Sequence, residues 1–157
     1  APLTVAELRK PIQVGAVEII PLPAVHGGWR YPWQRGLEAL SYLVRVGERS
    51  LYLAGDTAWG GHFEEIGSAY APDYAVLPIG AYSPAFVLRK RHLNPEQAVA
   101  AALALKARVV IPCHFGTFRL SFEAMAEPLR RFARASALQS AFAVCLPVEE
   151  TGPVCQS

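Results

Sequence analysis

The chain has 157 residues, 52% of them hydrophobic and 18% charged, with a formal net charge of +2. That length suits one domain spanning residues 1–157 with a core of its own, and the composition excludes a disordered chain. The small charge argues against nucleic acid as a partner and leaves Arg89-Lys90-Arg91 as a local basic cluster, read as a solvated loop in preference to a substrate-phosphate contact.

No apolar run approaches the roughly 18 residues of a membrane span, and residues 1–20 lack a signal-peptide layout, so the expectation is a soluble, cytoplasmic protein. Cys113, Cys145 and Cys155 are odd in number and lack Cys-x-x-Cys spacing, which indicates neither a disulfide framework nor a zinc ribbon.

Strands and helices alternate along the chain. Residues 12–15 and 17–25 read as a hairpin turned at Gly15, and residues 28–38, with Gly28, Pro32 and Gly36, read as a loop. Its Trp29-Arg30-Tyr31-Pro32-Trp33 stretch offers aromatic area either to a ligand or to the core edge. Residues 39–46 and 50–54 form a second hairpin across Gly47-Glu48-Arg49. A short helix is predicted near 62–70, a buried strand over 74–79, and a loop over 80–93. Asn94-Pro95-Glu96 is a helix start: Asn caps, Pro at the first position sacrifices no hydrogen bond, and Glu favours the positive end of the dipole. That helix should reach about Lys106 and pack through Ala98, Val99, Ala102, Leu103 and Leu105. A strand over 108–113 follows, then a helix over 122–137 with Met125, Leu129, Phe132 and Ala133 inward and Arg130, Arg131 and Arg134 outward. A last strand over 141–148 precedes a polar tail.

The chemistry gathers where apolar runs stop. Gly55-Asp56-Thr57 ends the run Ser50 to Ala54, His26 ends the run from Val17, and His114 ends the run Arg108 to Cys113. Imidazole and carboxylate at strand ends are what Zn²⁺ and related divalent ions bind, so a metal hydrolase is the first hypothesis. Taken singly, Asp56 also suits a turn held by its own side chain, and His26 a turn histidine. His92 could simply hydrogen-bond the loop before the Asn94 cap, and His62, at a helix start, reads as solvated. Cys113 should point to the sheet face opposite His114 and act as a small buried hydrophobe.

Six segments in order, Pro23-Ala24-Val25-His26, Gly55-Asp56-Thr57, Phe63-Glu64-Glu65-Ile66-Gly67, Leu77-Pro78-Ile79-Gly80-Ala81-Tyr82, His92-Leu93-Asn94-Pro95-Glu96 and His114-Phe115-Gly116-Thr117-Phe118, resemble the metallo-β-lactamase superfamily. Within it the chain is most similar to the branch of N-acyl-phosphatidylethanolamine phospholipase D and the L-ascorbate-6-phosphate lactonases. The likeness covers roughly residues 12–130 and corresponds to the C-terminal half of such an enzyme.

The resemblance implies an α/β fold, half of an αβ/βα sandwich: a mixed sheet with helices on one face and the other face covered by a partner or a second copy. It implies His26 on a first metal, Asp56 bridging two metals, and His114 on the second, with His92 and Tyr82 as catalytic residues on the substrate side. Zn²⁺ or another divalent ion such as Mn²⁺ is the implied cofactor. The His-x-His-x-Asp-His cluster of the family's N-terminal half is absent from the sequence. Phe115 stands where the family has Trp, and Ala85 where it commonly has Arg.

Two functions follow as expectations. One is a metal-dependent hydrolase of phosphodiester or lactone substrates, small or phospholipid-like, here as an incomplete C-terminal half. The other is a catalytically inactive, self-associating half-domain with a relic or weak single-metal site. In both, strands apolar on two faces, Ala75-Val76-Leu77 and Val109-Val110-Ile111, imply a homodimer through the open sheet face or pairing with a separate N-terminal half.

Overall fold

The computed structural model describes residues 5–26, 39–119, 121–146 and 155–156, so the Trp29 to Trp33 stretch lies outside the described residues. Its elements are β1 (Ile12–Val14), β2 (Val17–Pro23), β3 (Leu40–Val46), β4 (Arg49–Leu53), α1 (His62–Ala69), β5 (Tyr74–Pro78), α2 (Ala85–Leu88), α3 (Pro95–Leu105), β6 (Val109–Cys113), α4 (Glu127–Ser136), β7 (Ala143–Cys145) and β8 (Cys155–Gln156). They form one mixed sheet in which each strand neighbours its successor, β1 through β8. Strands β1 to β4 pair antiparallel, β1 with β2 and β3 with β4 across two-residue turns, whereas β4 to β7 pair parallel because a helix intervenes at each crossover.

The pleat sorts the strands into two faces. Ile20, Leu43, Tyr52, Ala75 and Val110 lie in one register row and are at most 4% exposed. They share a core with Phe63 and Ile66 of α1, Ala98, Ala102 and Leu105 of α3, and Phe132 of α4, so the helices cover this face. The next row, Tyr42, Leu53, Val76 and Ile111, faces the other way and stays partly exposed although every member is apolar or aromatic.

Local chemistry sets the helices. Asn94 accepts a hydrogen bond from the Gln97 backbone N–H, and the Gln97 side chain accepts one from the Asn94 N–H, closing a capping box around Pro95. The helix ends at Lys106, in the left-handed conformation with φ of 55°. Leu103, expected inside, is 38% exposed, while Ala101 is buried, because α3 is packed by α1, α4 and β5 together. Helix α1 meets α3 at Gly67, where a Cβ would stand 2.0 Å from the Ala104 carbonyl oxygen.

Several expected boundaries differ. The loop over 80–93 contains the short helix α2. The helix expected from 122 begins at Glu127 with Pro128 in its first turn, since a proline seven residues into a helix would remove a hydrogen bond and clash with the preceding turn. Met125 is consequently outside the helix and partly exposed. The last strand, expected over 141–148, is β7 at Ala143–Cys145, and the polar tail carries β8, whose backbone pairs antiparallel with β7.

Candidate metal centre

Sheet direction brings the site together. Strand β2 is antiparallel to β3, and β3 to β4, so β2 runs the same way as β4, β5 and β6, and all four end at one edge. His26 follows β2, Asp56 follows β4 and His114 follows β6, so the three stand along that rim. His92 joins them from the loop that leads into the Asn94 cap.

His26, Asp56 and His92 each offer a ligand atom, and these atoms lie within 4.8 Å of one another. Nε2 of His114 is 3.4 Å from Oδ1 of Asp56. Ligands about 2.0–2.1 Å from one tetrahedral ion stand about 3.4 Å apart, so the spacing suits a shared cation. The rings of His92 and His114 stack with centroids 5.4 Å apart, and His26 meets His92 edge-on at 5.2 Å. His92, expected on the substrate side, therefore sits inside the ligand cluster.

The donor set fits a divalent ion. Among the described residues, Nδ1 of His92 and Nδ1 of His114 are buried without a hydrogen-bond partner, and a bare buried nitrogen is a cost that a cation can relieve. Burial holds the His92 pKa below its usual value; Asp56 opposes that shift, and His114 and His26 add to it, so the ring is neutral and its lone pair is available near pH 7. Asp56, 45% exposed at its side chain, supplies the negative charge.

Backbone geometry aims these groups. His114 has φ of 59°, a left-handed conformation that costs a non-glycine residue roughly 1–2 kcal/mol and turns the chain sharply off β6. Its carbonyl oxygen lies against Gly80, where a Cβ would approach to 2.1 Å, so only glycine permits that turn. Thr57 ties two ligand loops: its Oγ1 accepts from the Val25 N–H at 3.0 Å, and the Ala58 N–H donates to the Val25 carbonyl at 2.7 Å. Glu123 accepts from the backbone N–H groups of Ala81, at 2.7 Å, and Ser83, at 3.0 Å, and so anchors the loop after β5. An open cleft of about 260 Å³ lined by His114, Phe115, Thr117 and Phe118 adjoins the cluster.

Tyr82 is not brought to this group. Its hydroxyl donates to Glu127 at 2.9 Å, and the Arg131 guanidinium lies 4.8 Å above its ring while also pairing with Glu96 at 2.6 Å and Glu127 at 3.2 Å. Arg131, expected outward, is thus the half-buried joint between α3, α4 and the loop holding Tyr82. His62, expected in solvent, is 7% exposed and faces Thr57. Cys113 projects to the partly exposed sheet face; burial, with the Asp56 charge second, pushes its thiol up to about 11, so it stays protonated. Sequence reasoning missed the Glu123 anchor because a glutamate before a proline-started helix carries no local signal; for Thr57 the adjoining Asp56 was the available cue.

A mixed sheet in which three like-directed strands, β2, β4 and β6, deliver imidazole and carboxylate to one rim defines a class of α/β metal-site proteins. The model of the beta-lactamase superfamily domain matches residues 2–115, and the chain belongs to the metallo-β-lactamase superfamily. It is 34% identical over 150 residues to an uncharacterised protein of Mycobacterium tuberculosis, covering 90% of this chain and 40% of that protein. It is also 37% identical over 100 residues to N-acyl-phosphatidylethanolamine-hydrolyzing phospholipase D 1 of Caenorhabditis elegans, covering 62% of this chain and 28% of that one. The solved structure of a metallo hydrolase from the archaeon Ignicoccus hospitalis superposes with a TM-score of 0.65 at 25% identity, over 94% of this chain and 57% of that one. The chain therefore spans less than half the length of these two curated relatives.

Proposed function

We propose that this chain carries part of the metal site of a metal-dependent hydrolase acting on phosphodiester or lactone substrates. The observation that carries the reading is the meeting of His26, Asp56, His92 and His114 at one sheet edge, with two buried imidazole nitrogens left without partners among the described residues. His26, Asp56 and His114 would hold Zn²⁺ or Mn²⁺, Asp56 suiting a bridging position because a carboxylate can meet two cations. His92 either completes the ligand set or orients a substrate oxygen. A bound divalent ion supplies Lewis acidity and lowers the pKa of a water toward neutrality. The cleft beside His114, with Phe115 and Phe118, would take the apolar part of a small or phospholipid-like substrate. No helix among the described residues is long and apolar enough to cross a membrane, and a cytoplasmic setting belongs to the same proposal.

The partly exposed row Tyr42, Leu53, Val76 and Ile111 favours a second reading, in which the chain is a self-associating half-domain with a weak single-metal site. Either a second copy or a separate N-terminal half would cover that row. Metal content after purification, together with hydrolysis of bis-p-nitrophenyl phosphate, separates the readings. The hydrolase reading expects retained metal and turnover, both falling to background in Asp56→Ala. Retained metal without turnover leaves the half-domain, and a chain without metal whose rate ignores Asp56→Ala removes the hydrolase.

A further inference from the structure

We propose that His62 is a positioning residue, whose ring N–H fixes the Thr57 hydroxyl in the orientation that locks the His26 loop to the Asp56 loop. This rests on the metal-site reading above for its consequence, though not for its geometry. Thr57 is fully buried. Its Oγ1 accepts from the Val25 N–H at 3.0 Å, donates to the Ala58 carbonyl at 3.1 Å, and lies 3.4 Å from Nε2 of His62.

Proton accounting decides the direction of the last contact. A hydroxyl has one proton and two lone pairs. With its proton spent on Ala58 and one lone pair on Val25, the second lone pair is met by an N–H at Nε2 of His62. Nδ1 is then a bare acceptor, and Nδ1 is the ring atom that has no partner among the described residues. The opposite tautomer would bury an orphaned N–H, which folded proteins tolerate less well than an under-used acceptor. Burial also lowers the His62 pKa, against the opposing charges of Glu64 and Glu65, and so keeps the ring neutral.

Packing holds the ring in place. A Cβ at Gly60 would meet Nδ1 of His62 at 3.0 Å and Cγ2 of Val25 at 3.2 Å, so glycine leaves the space in which His62 and Val25 approach each other. Val25 adjoins His26, and Thr57 adjoins Asp56. One hydrogen bond from His62 therefore constrains the peptide next to each of two ligand side chains, one step further out than the groups that bond ligands directly and are worth about 10–100-fold in metal affinity.

The test uses His62→Leu, which removes the donor, and His62→Gln, whose amide can replace it. Two readouts are followed: amide exchange at Val25 in metal-free protein, with Leu43 as core control, and the Zn²⁺ dissociation constant by chelator competition. In His62→Leu, exchange at Val25 should rise about tenfold relative to Leu43, and Zn²⁺ affinity should fall, by about tenfold at most. His62→Gln should restore most of both. Thr57→Val should reproduce the loss, with His62→Leu adding nothing to it. Unchanged exchange at Val25 overturns the proposal, as does a His62→Gln variant as impaired as His62→Leu, or a double variant whose losses add. A wild-type chain that binds no Zn²⁺ overturns the metal-site reading alone, because the exchange measurement still decides the lock.

Discussion

Asp73 stands at the sheet edge opposite the ligand cluster, just ahead of β5, and joins three strands there. Its carboxylate accepts from the Ser50 backbone N–H at 3.0 Å and from the Ser50 hydroxyl, and pairs with Arg108 at 3.4 Å and Arg49 at 3.7 Å. The Ser50 backbone bond is the largest of the effects that hold its pKa below the usual carboxylate range, followed after the opposing cost of burial by the Ser50 hydroxyl and the two arginines. A carboxyl group depressed in the folded state adds stability that is present above its unfolded pKa of about 4 and is lost as pH falls through its folded value. Asp73→Asn should therefore lower Tm by a few degrees at pH 7, and that gap should close as pH drops below 4; a gap of equal size in melts at pH 7 and pH 3 would show that charge is not the cause. The two sheet edges differ in how much the sequence announces. Asp56, His26 and His114 are legible because each polar group abruptly ends an apolar run. His92 is reached only through the family resemblance, and His62 reads as solvated, since their surroundings are made by loops folding back onto the rim, and nothing in the neighbouring residues encodes that closure.

At the scale of the element, the contact between α1 and α3 turns on one atom. Gly67 admits the Ala104 carbonyl at a distance no side chain allows, since a Cβ there would lie 2.0 Å away and the obstructing atom is backbone. Gly67→Ala must push the helices apart or shift their register, at a cost of about 1–3 kcal/mol or more for overpacking. Gly61→Ala, with nothing within 4 Å of its Cβ position, is the control and should change stability little. Urea unfolding of both variants checks this, and equal midpoints would mean that the helices yield freely. The segment Phe63 to Gly67 was readable as a motif without its physical reason, which lies in α3, some forty residues on. The start of α3 was readable in full, because Asn, Pro and Glu act on their own backbone, with Gln97 completing the box. The start of α4 was misplaced because Glu123 serves a distant loop rather than a helix turn, and β8 was missed because its pairing depends on β7.

For the whole molecule, the two faces of the sheet differ in what covers them. Ala75 and Val76 are adjacent in β5 and point to opposite faces, one fully buried beneath the helices and the other in the row with Tyr42, Leu53 and Ile111. The alternation was legible only in part. Both strands read as apolar throughout, which says that two faces want cover without saying which face the chain's own helices take. The helices occupy the Ala75 face, so the hydrophobic effect acts on the Val76 face whenever two copies meet, and a shared patch on identical chains favours a two-fold arrangement. Light scattering across a concentration series should show a dimer that Val76→Lys dissociates without loss of helical circular dichroism, because a lysine there keeps its charge in water. Ala75→Lys, one residue away, should instead abolish folding, since it buries an unpaired charge in the core. A wild-type chain that stays monomeric and soluble at every concentration would show that the open row needs no cover, and with it the half-domain reading would lose its support.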